Sequence, residues 1–217
     1  MQFSTVALGL VALSGFSFAF PSARTNAVTT AQILLIANTS STCSGATYAD
    51  ECATADVAAK NINTGFTKYG VETCGEKAAL ISLMAYETAE FKYNKNHYPA
   101  PGRPGQGTRN MQMAKFNLLY ASSISELTTS VKSITNGETN SSSLTDDQLN
   151  QVRALVLDHP YDFSSAAWYL TTQCDQSIRN GLAAKTVDGW TAYITDCVGT
   201  TVDTSRQEYW EKALKAI

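Results

Sequence analysis

Leu80–Asn117 reads LISLMAYETAEFKYNKNHYPAPGRPGQGTRNMQMAKFN: an apolar run carrying glutamates, a Gly/Pro-rich segment, then a second apolar run. Stepping about 100° per residue from Leu80 puts Leu83, Met84, Glu87 and Phe91 within about 60° of it. A helix is therefore predicted from Gly75 to Phe91. Glu87 falls near the middle of its apolar stripe, and Glu90 falls about 80° away on the flank. A carboxylate on a buried face is costly unless it is neutral, paired or hydrogen-bonded. Burial raises a carboxyl pKa, and a raised pKa is what a general acid needs. The same position also suits a helix-end residue whose head reaches water, or a structural partner of Arg103, Arg109 or a backbone amide.

The segment after the helix bears on that choice. Lys92–Asn110 holds three of the five prolines (Pro99, Pro101, Pro104) together with Gly102, Gly105 and Gly107. It has no apolar period and exceeds the usual loop length, and such loops are functional or disordered. Its Tyr, Asn, Gln and Arg side chains, Tyr93, Asn94 and Asn110 among them, suit a polar polymer.

The stretch resembles the goose-type lysozyme and soluble lytic transglycosylase group of the lysozyme superfamily. There, a helix ending in Glu-Ser is followed by an aromatic residue, and a loop leads to a Gly-x-Met-Gln-like turn that opens the next helix. This chain has Glu87-Thr88-Ala89-Glu90-Phe91 and then Gly107-Thr108-Arg109-Asn110-Met111-Gln112. Thr88 stands in place of Ser, one extra residue precedes the aromatic, and three residues separate Gly107 from Met111. The resemblance implies an all-α, lysozyme-like domain with a long Gly/Pro-rich active-site loop. It implies that Glu87 is the catalytic acid, that Gln112 lines the cleft, and that Tyr169 is a cleft tyrosine.

The function expected is a secreted, muramidase-like glycosidase cutting β-1,4 links of peptidoglycan, with chitin as second substrate. The alternatives are a lytic transglycosylase, a chitinase or chitosanase of the same superfamily, or a non-catalytic wall-binding protein. Glu87 and Glu90 are the candidate catalytic residues; Gln112, Tyr93, Asn94, Asn110 and Tyr169 are the candidate substrate contacts. An inverting hydrolase requires a second carboxylate to activate water. Glu90, Asp158 or Asp162 could supply it, or the sugar's own hydroxyl attacks and none is required.

The 217 residues carry a net charge of −3. With no basic run to neutralise phosphates, nucleic acid is not an expected partner. Val6–Phe18 is an apolar run ending at Ser17-x-Ala19, the pattern of a signal peptide rather than a membrane span, although no Lys or Arg precedes it. The expected organisation is a signal peptide at 1–19, a leader or short propeptide at 20–40, and one catalytic domain at 41–217, secreted and monomeric. Within the leader, Ile33–Ile36 reads as an apolar plug against the domain. Secretion favours disulfides. Cys43–Cys52 and Cys174–Cys197 are the expected pairs, with Cys74 left free. Asn38-Thr39-Ser40 and Asn140-Ser141-Ser142 are glycosylation sequons.

Elsewhere the apolar period is helical. Helices are expected at about 54–69 closed by Gly70, at Met111–Ala121, and behind capping boxes at Ser123/Glu126, Thr145/Gln148 and Thr204/Gln207. Pro160 is expected to stop the Thr145 helix. Further stripes run through Phe163–Ile178 and Trp190–Cys197, and no segment alternates at period two. His97 and His159 lie far apart and no His/Cys/Asp cluster has metal-ligand spacing, so neither metal nor cofactor is expected. Asp158-His159 lacks a nucleophile elbow, and the Gly-rich loop lacks the Lys-Ser/Thr of a phosphate loop. Trp168, Tyr169 and Trp190 are either core residues or sugar platforms.

Overall fold

A computed structural model of the protein describes residues 27–217, so the expected signal peptide and the leader up to residue 26 lie outside the described residues. The described chain is all-α. Its first helices are α1 (Thr30–Ile36), α2 (Ala55–Tyr69), α3 (Cys74–Glu87) and α4 (Ala114–Ser123). Next come α5 (Thr128–Thr135), α6 (Asp146–Ala154), α7 (His159–Asp162) and α8 (Ser165–Gln173). The last are α9 (Gln176–Ala183), α10 (Val187–Ala192) and α11 (Thr204–Ala216). The extended pairing among described residues consists of two isolated bridges, Lys95 with Gly107 and Gly107 with Gln112.

α3 is the central post. Every residue from Gly75 to Ala85 is buried. The run AALISLMA explains this, because a helix that is apolar all round needs neighbours on every side. Its one polar member, Ser82, returns its hydroxyl to Ala79 O. Thr73 and Glu76 form a capping box at its start. Gly75 lets the backbone of α9 approach, since a Cβ there would lie 1.9 Å from Leu182 O. α11 packs along α3.

Two apolar cores result. The larger gathers α1, α2, α3 and α11 with residues such as Ile33, Leu80, Met84, Trp190 and Trp210. The smaller gathers α4, α5 and α6 around Tyr120, Trp168 and Tyr169. α8 serves both, with Ala166, Ala167 and Leu170 in the first and Trp168 and Tyr169 in the second. Trp168 and Trp190 are thus core residues.

Several boundaries differ from expectation. Residues 28–40 of the expected leader pack into the domain. Val28, Ile33, Ile36 and Ala37 are core residues, and Val28 and Asn63 exchange two hydrogen bonds of 2.8 Å. Ile33–Ile36 does pack on the domain, but as a helix with its own capping box, Thr29 with Gln32. The Thr145/Gln148 box forms. The Ser123/Glu126 box does not, because Ser123 ends α4 and bonds Tyr120 O. The cap of α11 is Asp203, one residue before the expected Thr204. α6 ends at Ala154, and Pro160 helps open α7 rather than stopping α6. Both disulfides pair as expected, Cys43–Cys52 and Cys174–Cys197, and Cys74 is free.

Candidate active site

Glu87 is the last residue of α3. The helix does not continue to Phe91, so the 100° step that placed Glu90 beside Glu87 stops applying. Ala89, Glu90 and Phe91 instead take φ of 48°, 58° and 68°, three consecutive left-handed residues without a glycine. Such a conformation costs roughly 1–2 kcal/mol per residue and persists only where its surroundings over-determine it. They do so here. Glu90 N donates to Ala85 O at 2.7 Å and Phe91 N to Thr88 Oγ1 at 3.0 Å. The Glu90 carboxylate accepts from Thr39 N and Oγ1, both 2.6 Å, and from Tyr209 OH at 2.8 Å. Glu90 is therefore a tie between the turn, the residues after α1 and helix α11, and it does not line the groove.

The turn is fastened from behind by Arg109, which is fully buried. Its guanidinium donates to Phe91 O (2.9 Å), Tyr93 O (2.8 Å), Glu51 O (2.7 Å) and Asp162 Oδ2 (2.7 Å). One planar fork thus joins the turn after Glu87, the Cys43–Cys52 loop and α7. Burial pushes the Asp162 carboxyl up, to about 6, against the pull of Arg109 and the Asn94 amide. Its Oδ1 has no hydrogen-bond partner among the described residues. Glu51, also buried, goes the other way. Burial alone would raise it, but the Asn94 backbone amide, His97 and Lys95 outweigh that and hold it low.

Glu87 lies where two cavities meet. One, of about 200 Å³, opens between the two cores and is lined by Leu83, Asn110, Gln112, Phe116 and Tyr169, with Val198–Thr200 at its edge. The other, of about 470 Å³, lies beside the Cys43–Cys52 loop and is lined by Tyr48, Tyr93, Lys95, His97 and Tyr98. Glu87, Gln106 and Met111 line both. Together they make one groove, and Glu87 is the one carboxylate among the described residues lining it. Its side chain is 23% exposed and forms an ion pair with Arg206 of α11, Oε1 to Nη1 2.5 Å. The expectation of an acid enclosed by apolar groups alone is thus replaced by an acid held against a cation. Oε2 has no hydrogen-bond partner among the described residues.

The loop forms the groove's far wall and is itself pinned by buried polar side chains. Gly107 sits where a Cβ would meet Asn94 O at 2.7 Å. Gln112 is bridged to Gly107 instead of opening α4, so the loop runs on to Met113. Ser165 Oγ donates to Asn110 Oδ1 (2.8 Å), Asn110 Nδ2 to Gln112 Oε1 (3.1 Å) and Gln112 Nε2 to Asn117 Oδ1 (2.7 Å). Asn110 and Gln112 each spend one of two amide hydrogens in this chain and keep one.

The structure therefore brings Glu87, Gln112, Asn110, Tyr169 and Tyr93 to the groove. Tyr169 also donates its hydroxyl to Cys197 O at 3.1 Å. Asn94 is buried away from the groove, bonding Asp162 and Glu51. Asp162 is enclosed behind Arg109, and Asp158 stands at the N-cap position of α7 without a side-chain capping bond. Sequence reasoning missed Gln106, Arg206, Tyr48 and His97, which no motif marks. Among the described residues, no group of three or more His, Cys, Asp or Glu is placed to hold a metal ion, and no helix is long and apolar enough to cross a membrane.

Among known proteins, the chain is similar to a bifunctional dioxygenase (DOX)–epoxy alcohol synthase (EAS) of Fusarium oxysporum (strain Fo5176), with 40% identity over 159 residues. The match covers 73% of this chain but 12% of that relative. No protein-family model and no solved structure matches the chain.

Proposed function

We propose that the protein is a secreted, lysozyme-like glycosidase that cleaves β-1,4 links in a polymer of N-acetylated amino sugars, peptidoglycan first. One observation carries the reading: Glu87 is the one carboxylate among the described residues lining the groove, at the point where its two arms join. A polymer lying across both arms presents a glycosidic oxygen to Glu87 Oε2. Glu87 gives that oxygen its proton, the C1–O bond breaks, and the bonding pair leaves with the departing sugar. The oxocarbenium-like centre is then captured by an oxygen nucleophile whose proton returns to Glu87. Asn110 and Gln112, each with an amide hydrogen to spare, and Tyr169 hold the polymer in one arm. The two disulfides fit an oxidising, extracellular setting. The two activities in the Fusarium relative's name belong to a protein of which this stretch matches about an eighth, and they are not carried over.

The nucleophile decides between two courses. Inverting hydrolysis uses two carboxylates, and the groove supplies one. That favours attack by the sugar's own hydroxyl, the lytic transglycosylase course, over water activated by a second acid. The test is clearance of bacterial walls by the protein and by Glu87→Gln. Clearance by the parent alone supports the reading. Equal clearance by both, or by neither, overturns it. New reducing ends mark hydrolysis, and their absence from cleaved product marks cyclisation.

A further inference from the structure

We infer that the groove arm beside the Cys43–Cys52 loop is a sugar-ring subsite, with Tyr48 and Tyr98 as stacking surfaces and Gln106 Oε1 as the acceptor for a substrate N–H or O–H. The inference rests on the glycosidase reading and assigns what the second arm does.

The disulfide loop carries Tyr48 to the groove, where its ring stacks on His97 at 3.9 Å between centroids with an interplanar angle of 6°. Tyr93 meets both rings edge-on, at 5.9 and 5.7 Å. His97 is fixed from behind by Glu51, Nε2 to Oε1 2.9 Å. The cluster is therefore a braced wall rather than a set of loose side chains. Tyr98, 84% exposed, and Tyr48, 38% exposed, leave ring surface open to solvent. Aromatic rings present an electron-rich face, which suits the C–H face of a pyranose.

The polar requirement is as specific. Gln106 Nε2 donates to Met111 O at 2.9 Å, which fixes the orientation of the amide. Its Oε1 is buried and has no partner among the described residues. Buried acceptors are satisfied as a rule, and this one belongs to a residue lining both arms beside Glu87. A sugar next to the scissile bond brings hydroxyl and acetamido hydrogens to that place. Charge points the same way. The Lys95 ammonium lies 3.4 Å from Asp50 and 3.3 Å from Glu51, so the arm offers rings and an amide rather than an uncompensated cation. That matches a neutral sugar better than an anionic chain.

The test uses isotope-labelled Glu87→Gln protein, which keeps the groove and cannot turn substrate over, titrated with β-1,4 N-acetylglucosamine oligomers of two to six units. NMR signals of Tyr48, His97 and Gln106 are expected to shift with the longer oligomers. Adding Tyr98→Ala, which removes an exposed ring and should leave thermal unfolding unchanged, is expected to weaken the longest oligomer about fivefold. Tyr48→Ala should weaken it by a similar factor. Shifts at Gln112 and Phe116 with none at Tyr48 or His97 overturn the subsite, whatever Gln106 does, and leave the glycosidase reading standing. No shift in either arm, with no wall clearance by the parent protein, overturns both.

Discussion

Arg206 Nη1 lies 2.5 Å from Glu87 Oε1, although the two residues are 119 positions apart. The guanidinium also lies over the Tyr86 ring, 4.2 Å from its centroid, and its Nε is 3.9 Å from Asp203. The pair ties α11 to the last turn of α3, and both side chains are mostly covered. Arg206→Met keeps much of the bulk, removes the charge and leaves the Glu87 carboxylate without its ionic partner. It should lower unfolding free energy by about 1–3 kcal/mol, read in urea, and Arg206→Lys should restore part of the loss. Unchanged unfolding in the Met variant would show that the pair does not hold α11 to α3.

Arg109→Leu should destabilise the protein by about 3–5 kcal/mol, because it leaves buried Asp162 unpaired. The carbonyls of Glu51, Phe91 and Tyr93 lose their donor as well. Arg109→Lys should not rescue it, since one ammonium cannot reproduce a planar fork that serves four acceptors. Urea unfolding measures both. A loss under about 1 kcal/mol for the Leu variant would contradict the role given to Arg109.

Much of the fold is legible in the sequence, and parts of the site are not. The all-α class, the two disulfides, the end of α2 at Gly70 and the Thr145/Gln148 box rest on local rules, and local rules hold where a segment's neighbours do not overrule them. Glu87 and Gln112 carry a family-like spacing, and both line the groove. Glu90 is misplaced when a helical period is extended through residues that turn left-handed without a glycine to announce it. Asn94 and the packing of residues 28–37 escape notice for another reason. A polar side chain or a short apolar run looks the same whether it faces a groove or fills the interior. Arg206 and Tyr48 reach the site through long-range packing, which leaves no local signature.

Ala89 is exposed and holds φ at 48°. Glycine adopts that conformation without a Cβ penalty. Ala89→Gly should therefore raise stability by about 1 kcal/mol, read as a higher thermal midpoint. A lower midpoint would mean that the turn is not strained at this position.

Asp162 sets a pH dependence with a definite sign. Its folded value, about 6, lies above the ordinary 3.8. Its contribution to stability is complete below the ordinary value and is lost as pH rises through about 6. Glu51, held low, contributes in the opposite sense, above the ordinary carboxylate value, and loses its contribution in acid. A ¹³C NMR titration of the Asp162 carboxyl carbon should show its midpoint near 6. A midpoint near the ordinary value would mean that Arg109 outweighs burial.

The order of synthesis matters for the Glu87–Arg206 pair. A chain growing from its N-terminus releases Glu87 long before Arg206, so the carboxylate waits for its counter-ion until α11 docks along α3. Until then the groove lacks its electrostatic latch. The carboxylate reaches its final setting only when the last helix closes on the third, and a chain clipped ahead of α11 would carry Glu87 without its ionic partner.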